Sequence, residues 1–493
     1  MSVGAEFRAD LARVLRAGSR LVAIDTDDEA RAVALLEDTG RELSWPVHTW
    51  SLAGGVDGAG GARTLPELLE RLRGDRDDAL WLLLDVGAIV DTAALRRLRE
   101  LAQRNVGPAL VLVERSGAAL GPLGRIPELV PVPLPPPDRE ELAARLYTIA
   151  AALQDAGWRD AIDRLSAGTA PIVDAAAGLP GFAYDRVLAE AVLACGLDVP
   201  AIVRHLRGAK PAVLGRGGLL DPIATSDADE LGGLDRLEAW LALRKLTFSP
   251  AAAAAGIGPA RGCLLVGVQG CGKSLAARVC GRTLELPLIR LDPGRLFGGT
   301  VGASEANLRQ ALSELDRMAP AVLWIDELDK GFAGAEGSAS DAGTAARVLG
   351  GLLTWLQERT RPVFVVATAN RVDLLPAELL RRGRFDEIFF IDLPDADARE
   401  RITALHFERT TAAHRPADAW PAFARIARAA EGYSGAELAA ALAEARVIAF
   451  AQARPVAADD FAAALAASIP LSVLRAEDVL ALRRWASGRA RPA

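Results

Sequence analysis

Lysine is almost missing from this 493-residue chain: of 57 basic residues only Lys210, Lys245, Lys273 and Lys330 are lysine, and the rest are arginine. Cysteine and histidine are as sparse, at four each. No two of Cys195, Cys263, Cys271 and Cys280 stand in C-x-x-C spacing, which argues against a zinc site or disulfide framework and for buried free thiols. There is no H-E-x-x-H, and His406 and His414 stand apart without it, which excludes a zinc protease. No apolar run reaches the roughly 18 residues that a membrane helix needs. The segment Met1 to Arg8 has no apolar signal core, so a cytoplasmic location without membrane contact is expected. A net charge of −7 and the lack of basic, aromatic-interleaved stretches leave no nucleic-acid partner expected.

Against this arginine-rich background, the placement of one lysine is informative. Gly267-Val268-Gln269-Gly270-Cys271-Gly272-Lys273-Ser274 fits G-x-x-x-x-G-K-[ST]. Its glycines let consecutive amides turn onto an anion, and Lys273 brings a flexible point charge that arginine's planar fork does not replace. Ser274, followed by Leu275, offers a hydroxyl to Mg²⁺. An apolar strand, Arg261 to Val266, enters the loop, and a helix from Ser274 to Leu284 leaves it. ATP with Mg²⁺ is the expected ligand. Cys271 lies at a helix N-terminus, a position that lowers a thiol's pKa, so redox control of the loop stands beside the plainer reading of a buried thiol.

Further apolar strands follow at Ala321 to Asp326, Pro362 to Ala367 and Ile388 to Leu393, with helical patterns between them. That alternation predicts a parallel sheet covered by helices on both faces. Alone, Asp326-Glu327 reads as well as an acidic turn. In the same sheet as Ser274 and 52 residues later, it reads as a Mg²⁺ ligand, Asp326, followed by a base for water, Glu327. Trp324 is expected to fill the core, and Asp329 and Lys330 to be solvated. Asn370, at the tip of the next strand, caps a turn, holds the lytic water or senses the γ-phosphate. Arg381, Arg382 and Arg384 form an exposed basic patch or supply cations to a neighbouring subunit's γ-phosphate.

The first third repeats these landmarks in order. Arg20 to Ile24, Leu82 to Asp85, Pro108 to Val113 and Val132 to Pro135 parallel the four strands above, which predicts a duplicated module. The first copy has Asp25-Thr26-Asp27-Asp28-Glu29 where a phosphate loop belongs, so a polyphosphate there would meet only like charge. Ala53 to Ala62 is expected to be a glycine-rich surface loop, and Gly208 to Asp229 a linker.

Residues from about Leu231 to Leu465 resemble an AAA ATPase module. The resemblance rests on Leu231-Gly232-Gly233-Leu234, the phosphate loop, Val301 to Arg309, Asp326-Glu327, Asn370, Leu380 to Asp386 and Gly432 to Leu438. It implies that Gly232, Gly435 and Ala436 bind nucleotide. More narrowly, the phosphate loop, Trp324 to Phe332, Pro470-Leu471-Ser472 and Gly488 to Pro492 resemble the hypothetical chloroplast reading frame forty-six family. That family's members similarly carry an N-terminal module lacking an ATP site. Unfoldases of the wider group carry an aromatic residue where this chain has Thr300-Val301-Gly302. Phe297, three residues earlier, is expected to anchor the loop from beneath.

The expected architecture is α/β: a degenerate AAA-like module over 1–137 with its helical lid and linker over 138–215, then a phosphate-loop AAA+ large subdomain over 216–395, a helical lid over 396–470 and a C-terminal helix with basic tail over 471–493. The expected function is ATP hydrolysis in a ring, a homo-hexamer, that remodels or regulates a protein partner bound through residues 1–215. Glu327, Asn370, Arg381 and Arg384 would be catalytic. The alternative is a nucleotide-gated assembly or regulatory switch with low turnover and no threading.

Overall fold

The computed structural model describes residues 3–26, 28–59, 61–114, 123–215, 218–226, 232–297, 303–332, 339–381, 383–410, 426–454 and 456–493. The chain divides into two compact units, Met1–Val213 and Leu214–Ala493.

In the first unit, β1 (Leu21–Asp25), β2 (Val47–Ser51), β3 (Gly55–Val56), β4 (Leu80–Leu84), β5 (Ala109–Glu114) and β6 (Val130–Pro131) form one sheet in the order β3-β2-β4-β5-β1-β6. All neighbours run parallel except β2 and β3. The central strands read as near-continuous aliphatic runs because helices cover both faces. Leu21, Leu110 and Leu112 pack with Leu68, Leu72 and Leu98 on one side. Val22, Ile24 and Val111 pack with Phe7, Leu11 and Leu36 on the other. Five helices, from Arg139–Asp155 to Val199–Leu214, complete the unit.

The second unit holds β7 (Leu220–Ile223), β8 (Gly262–Gly267), β9 (Leu288–Leu291), β10 (Ala321–Ile325), β11 (Val363–Ala369), β12 (Glu387–Ile391) and β13 (Arg491–Pro492), ordered β13-β12-β8-β11-β10-β9-β7. Alternation again sorts the side chains. Leu264, Val266, Leu323 and Val365 enter one core, and Cys263, Leu265, Trp324 and Phe364 the other.

Five strands of each sheet follow one permutation: β2-β4-β5-β1-β6 in the first unit corresponds to β9-β10-β11-β8-β12 in the second. The likeness extends to backbone detail. Asp85, the first residue after β4, has φ 54°, and Glu327, the second after β10, has φ 48°. Each turn is bonded to the neighbouring strand: Gly87 N donates to Glu114 Oε1 at 2.8 Å, and Glu327 N donates to Thr368 Oγ1 at 2.9 Å. The acidic segment after β1 is built into its unit. Asp28 is buried, and its Oδ2 accepts from Gly181 N at 2.5 Å, the first residue of the helix Gly181–Cys195. A carboxylate fixed there would repel a phosphate. Asp27 lies outside the described residues.

Three sequence expectations need correction. Ala53 to Ala62 is not all loop, because Gly55 and Val56 pair antiparallel with Ser51 and Trp50, and Trp50 Nε1 donates to Ala62 O at 2.8 Å. Gly208 to Asp229 is not a plain linker: the helix Val199–Leu214 runs through Pro211, and β7 pairs antiparallel with β9. The basic tail ends in a strand, β13, beside β12.

Candidate functional site

The C-terminal ends of β8, β10 and β11 open into a cavity of about 710 Å³ within the second unit. Parallel strands concentrate loop residues at that end of a sheet. The segment after β8 reaches the helix Lys273–Leu284 through two left-handed glycines, Gly270 at φ 78° and Gly272 at φ 92°. A Cβ on Gly270 would stand 3.0 Å from Ser434 Oγ and 3.1 Å from the Ala436 side chain, so glycine is needed there. Gln269, Gly270, Cys271, Gly272, Lys273, Ser274 and Leu275 line the cavity. Gly267 and Val268 lie beneath it, where their carbonyls accept from Lys273 Nζ at 2.9 and 2.8 Å. Burial pushes the Lys273 ammonium down to about 8, against the opposing pull of Asp329, Asp326 and Glu327. A buried cation at a helix N-terminus, flanked by a glycine cradle, fits a polyphosphate.

Asp326 and Glu327 stand opposite. Thr368 Oγ1 donates to Asp326 Oδ1 at 2.6 Å while accepting from Glu327 N at 2.9 Å. One hydroxyl therefore fixes both acids and the turn between them. Asn370 Nδ2 donates to Glu327 Oε1 at 3.4 Å, and Lys330 Nζ meets the same oxygen at 2.7 Å. Ser274, Asp326, Glu327, Thr368 and Asn370 share the cavity wall. The Ser274 hydroxyl and the Asp326 carboxylate are hard oxygen donors of the kind Mg²⁺ takes.

Further wall comes from Gly232, Gly233 and two helices of the C-terminal part, Ala396–Thr410 and Gly435–Ala451, beside the end of β12 and the C-terminal residues Pro492 and Ala493. A Cβ on Gly232 would lie 2.6 Å from Ile402 and one on Gly233 2.4 Å from Ala398, which holds this segment against the first helix. Gly435 and Ala436 begin the second helix, where Ser434 and Glu437 form a capping box and Ala436 N donates to Gly270 O at 3.0 Å. That bond ties the helical subdomain to the phosphate loop.

Arg381 and Arg384 do not join this group, since neither lines the cavity. Arg381 is exposed, and Arg384 Nη1 donates to the Glu378 carbonyl. Their loop is tied to β8 instead. Asp386 Oδ2 accepts from the amides of Arg261 and Gly262 at 2.7 and 3.1 Å, and Arg261 Nη1 donates to Gly383 O at 2.6 Å. Arg382 and Leu231 lie outside the described residues, as do Thr300, Val301 and Gly302.

Several details differ from expectation. Burial pushes the Cys271 thiol up to about 12, outweighing the neighbouring Lys273, so the loop holds no activated thiolate. Asp329 is not solvated: it is 1% exposed, and its Oδ2 accepts from Arg371 N at 3.0 Å. Lys330 pairs with Glu327 rather than with water alone. Phe297 is 36% exposed, and the loop it was expected to anchor lies outside the described residues. Trp324 is in the core, as expected. Thr368, Ile402, His406, Pro492 and Ala493 were not expected in the site, although all five line the cavity. Thr368 left a trace in the sequence as a hydroxyl inside an otherwise aliphatic strand, and Pro492 stands in the tail segment that carries the family resemblance.

Comparison with known proteins agrees with this arrangement. Residues 263–393 match the family described as "ATPase family associated with various cellular activities (AAA)", and residues 7–118 match "SpoVK-like AAA ATPase, N-terminal domain". The chain is 34% identical to "Uncharacterized AAA domain-containing protein ycf46" of Trieres chinensis, covering 99% of this chain and 98% of the relative. The protein of the same description from Pyropia yezoensis is 32% identical over 99% of both chains. That from Guillardia theta is 36% identical over 80% of this chain and 76% of its own. Among the described residues, no helix is long and apolar enough to cross a membrane.

Proposed function

The chain belongs to the ycf46 family of AAA-domain proteins, and on that footing we propose that it binds and hydrolyses ATP with Mg²⁺. The observation that carries this reading is the Asp326–Thr368–Glu327–Asn370 hydrogen-bonded set standing in one cavity with Lys273. Lys273 and the amides of residues 269–275 hold the phosphates, and Gly232, Gly435 and Ala436 frame the rest of the nucleotide. Ser274 and Asp326 would hold Mg²⁺, which supplies charge neutralisation at the transferring phosphoryl group. Glu327 orients a water molecule and takes its proton, Asn370 aligns that carboxylate, and the transition state's charge falls to fixed cations.

Two of those cations come from another copy of the chain. Arg381 and Arg384 sit outside their own cavity on a loop braced against β8, a placement that suits action on a neighbour in a closed ring, a homo-hexamer in this reading. The first unit, which carries Asp28 where a phosphate would sit, serves as the binding module for a protein partner that the ring remodels or regulates.

The test is ATPase rate against protein concentration, with particle mass measured in parallel with and without ATP. Specific activity that climbs as a ring assembles supports this reading. A near-zero, concentration-independent rate alongside tight ATP binding would replace it with a nucleotide-gated switch.

A further inference from the structure

Residues 487–493 leave the helix Ala476–Ala486 and return to the sheet. Gly488 takes φ 74°, and the amides of Arg489 and Ala490 both donate to Ala486 O at 3.0 Å, so the chain reverses within a few residues. Arg491 and Pro492 then pair in parallel with Phe389 and Phe390 of β12, and Ala493 N donates to Phe390 O at 3.2 Å. β13 is the outermost strand, the place in a sheet where a proline's missing N–H costs nothing.

The segment is anchored on both sides of that pairing. Upstream, Arg483 Nε donates to both oxygens of Asp392 at 3.1 and 2.8 Å, while Leu482 and Trp485 pack on the core. At its far end Ala493 packs on the cluster that includes Ala276 and Ala277, from the helix that follows the phosphate loop. Asp392, Phe390, Pro492 and Ala493 are all part of the cavity wall.

That wall divides by chemistry. Lys273, Ser274, Asp326 and Glu327 offer charge and hydroxyl, matched to phosphates. Leu234, Phe390, Ile402, Leu405, Pro492 and Ala493 offer apolar surface, matched to a base and sugar. The tail thus belongs to the apolar part of the site, although it lies more than 200 residues beyond the phosphate loop in sequence.

The geometry points to residues 491–493 as a built-in wall of the nucleotide site that contacts the nucleoside and braces β12, setting affinity without taking part in hydrolysis. This rests on the reading of the cavity as a nucleotide site. It extends that site to a segment outside the residues 263–393 that match the AAA family.

The experiment titrates the full chain with a fluorescent N-methylanthraniloyl ADP and compares it with the double variant Pro492→Asp, Ala493→Asp. Two carboxylates placed on the apolar wall should weaken the probe by about tenfold or more, since a charge left unpaired there is costly. The kcat at saturating ATP should stay within about threefold, the signature of lost binding rather than lost chemistry. A wild type that binds tightly and a double variant that matches it within twofold would overturn this inference alone. A wild type that does not bind the probe would overturn the nucleotide reading and this inference with it. Hydrogen exchange in the unmutated chain gives a second readout that needs no altered fold. The amides of Arg491 and Ala493 should slow on adding ADP, and unchanged rates in a chain that binds the probe would overturn the assignment.

Discussion

Thr368 carries no charge, yet it decides where two charges stand. It is 1% exposed, and its hydroxyl both donates to Asp326 and accepts from the amide of Glu327, whose backbone is left-handed at φ 48°. That conformation is unfavourable for a residue with a side chain and needs outside support. Thr368→Val keeps the shape but leaves a half-buried amide and a carboxylate oxygen without this partner, a loss of about 1–3 kcal/mol at the turn. Steady-state kinetics should show kcat lower by about ten- to a hundredfold with ADP affinity nearly unchanged, the pattern of an interaction realised in the transition state. Thr368→Ser should recover most of it. If the valine variant turns over normally, the hydroxyl is not what positions the pair. Glu327→Gln tests the base itself. It should retain ATP binding, checked by equilibrium titration, and lose about 10²–10⁴-fold in turnover; a normal rate would remove Glu327 from the chemistry.

Elements differ in how well the sequence announces them, and the difference is physical. The phosphate loop is local: glycine spacing and one lysine specify it within eight residues, and it lies where the spacing predicts. The central strands are legible because burial on both faces demands aliphatic runs such as Leu80–Leu84 and Val363–Ala369. β3, β7 and β13 were missed because each is a short edge strand whose only specification is a partner far away in the chain or across a turn. β2 and β9 were missed because His48 and Thr49 in one and Arg290 in the other break the aliphatic run. Asp329 was misread for a similar reason, since its partner is the amide of Arg371 on another element. The same dependence on distant partners shapes the first unit. Burial holds the Glu114 carboxyl above the usual carboxylate range, with Asp85 and Asp25 adding to the rise and the amides of Gly87 and Val86 opposing it. A carboxyl raised in the fold binds its proton more tightly folded than unfolded. Its contribution is present below the unfolded value of 4.5 and is lost as pH rises through the folded value. Glu114→Gln removes that loss. Protection factors of β5 amides, measured by hydrogen exchange on the full chain, should fall less between pH 4.5 and 7 in the variant and be higher at pH 7. Identical pH profiles would mean the charge on Glu114 is fully compensated in the fold.

Across the whole molecule, the arginines proposed to act in hydrolysis stand apart from the cavity of their own chain. Lys273 is inside, while Arg381 and Arg384 lie on a loop held away by Arg261 and Asp386. In the proposed ring another copy presents that loop, so activity should belong to interfaces rather than to single chains. Lys273→Ala removes a residue that acts within its own cavity, and Arg384→Ala one that acts on the neighbour's. Each variant alone should be nearly inactive, the arginine change costing on the order of 10³–10⁵-fold if it serves as a trans finger. Mixed in equal amounts, they should recover activity. An Arg384→Ala chain followed by a Lys273→Ala chain forms an interface with both residues intact, and random assembly in a closed ring makes about one interface in four of that kind. The recovered rate should therefore approach about a quarter of the unmutated rate, provided subunits exchange, which mass measurement on unequally tagged chains can follow. Arg384→Ala protein that hydrolyses ATP normally by itself would show that Arg384 has no part in turnover. Exchange without any recovered rate would place Arg384 in service of its own chain, and the ring would then be required for something other than completing the site.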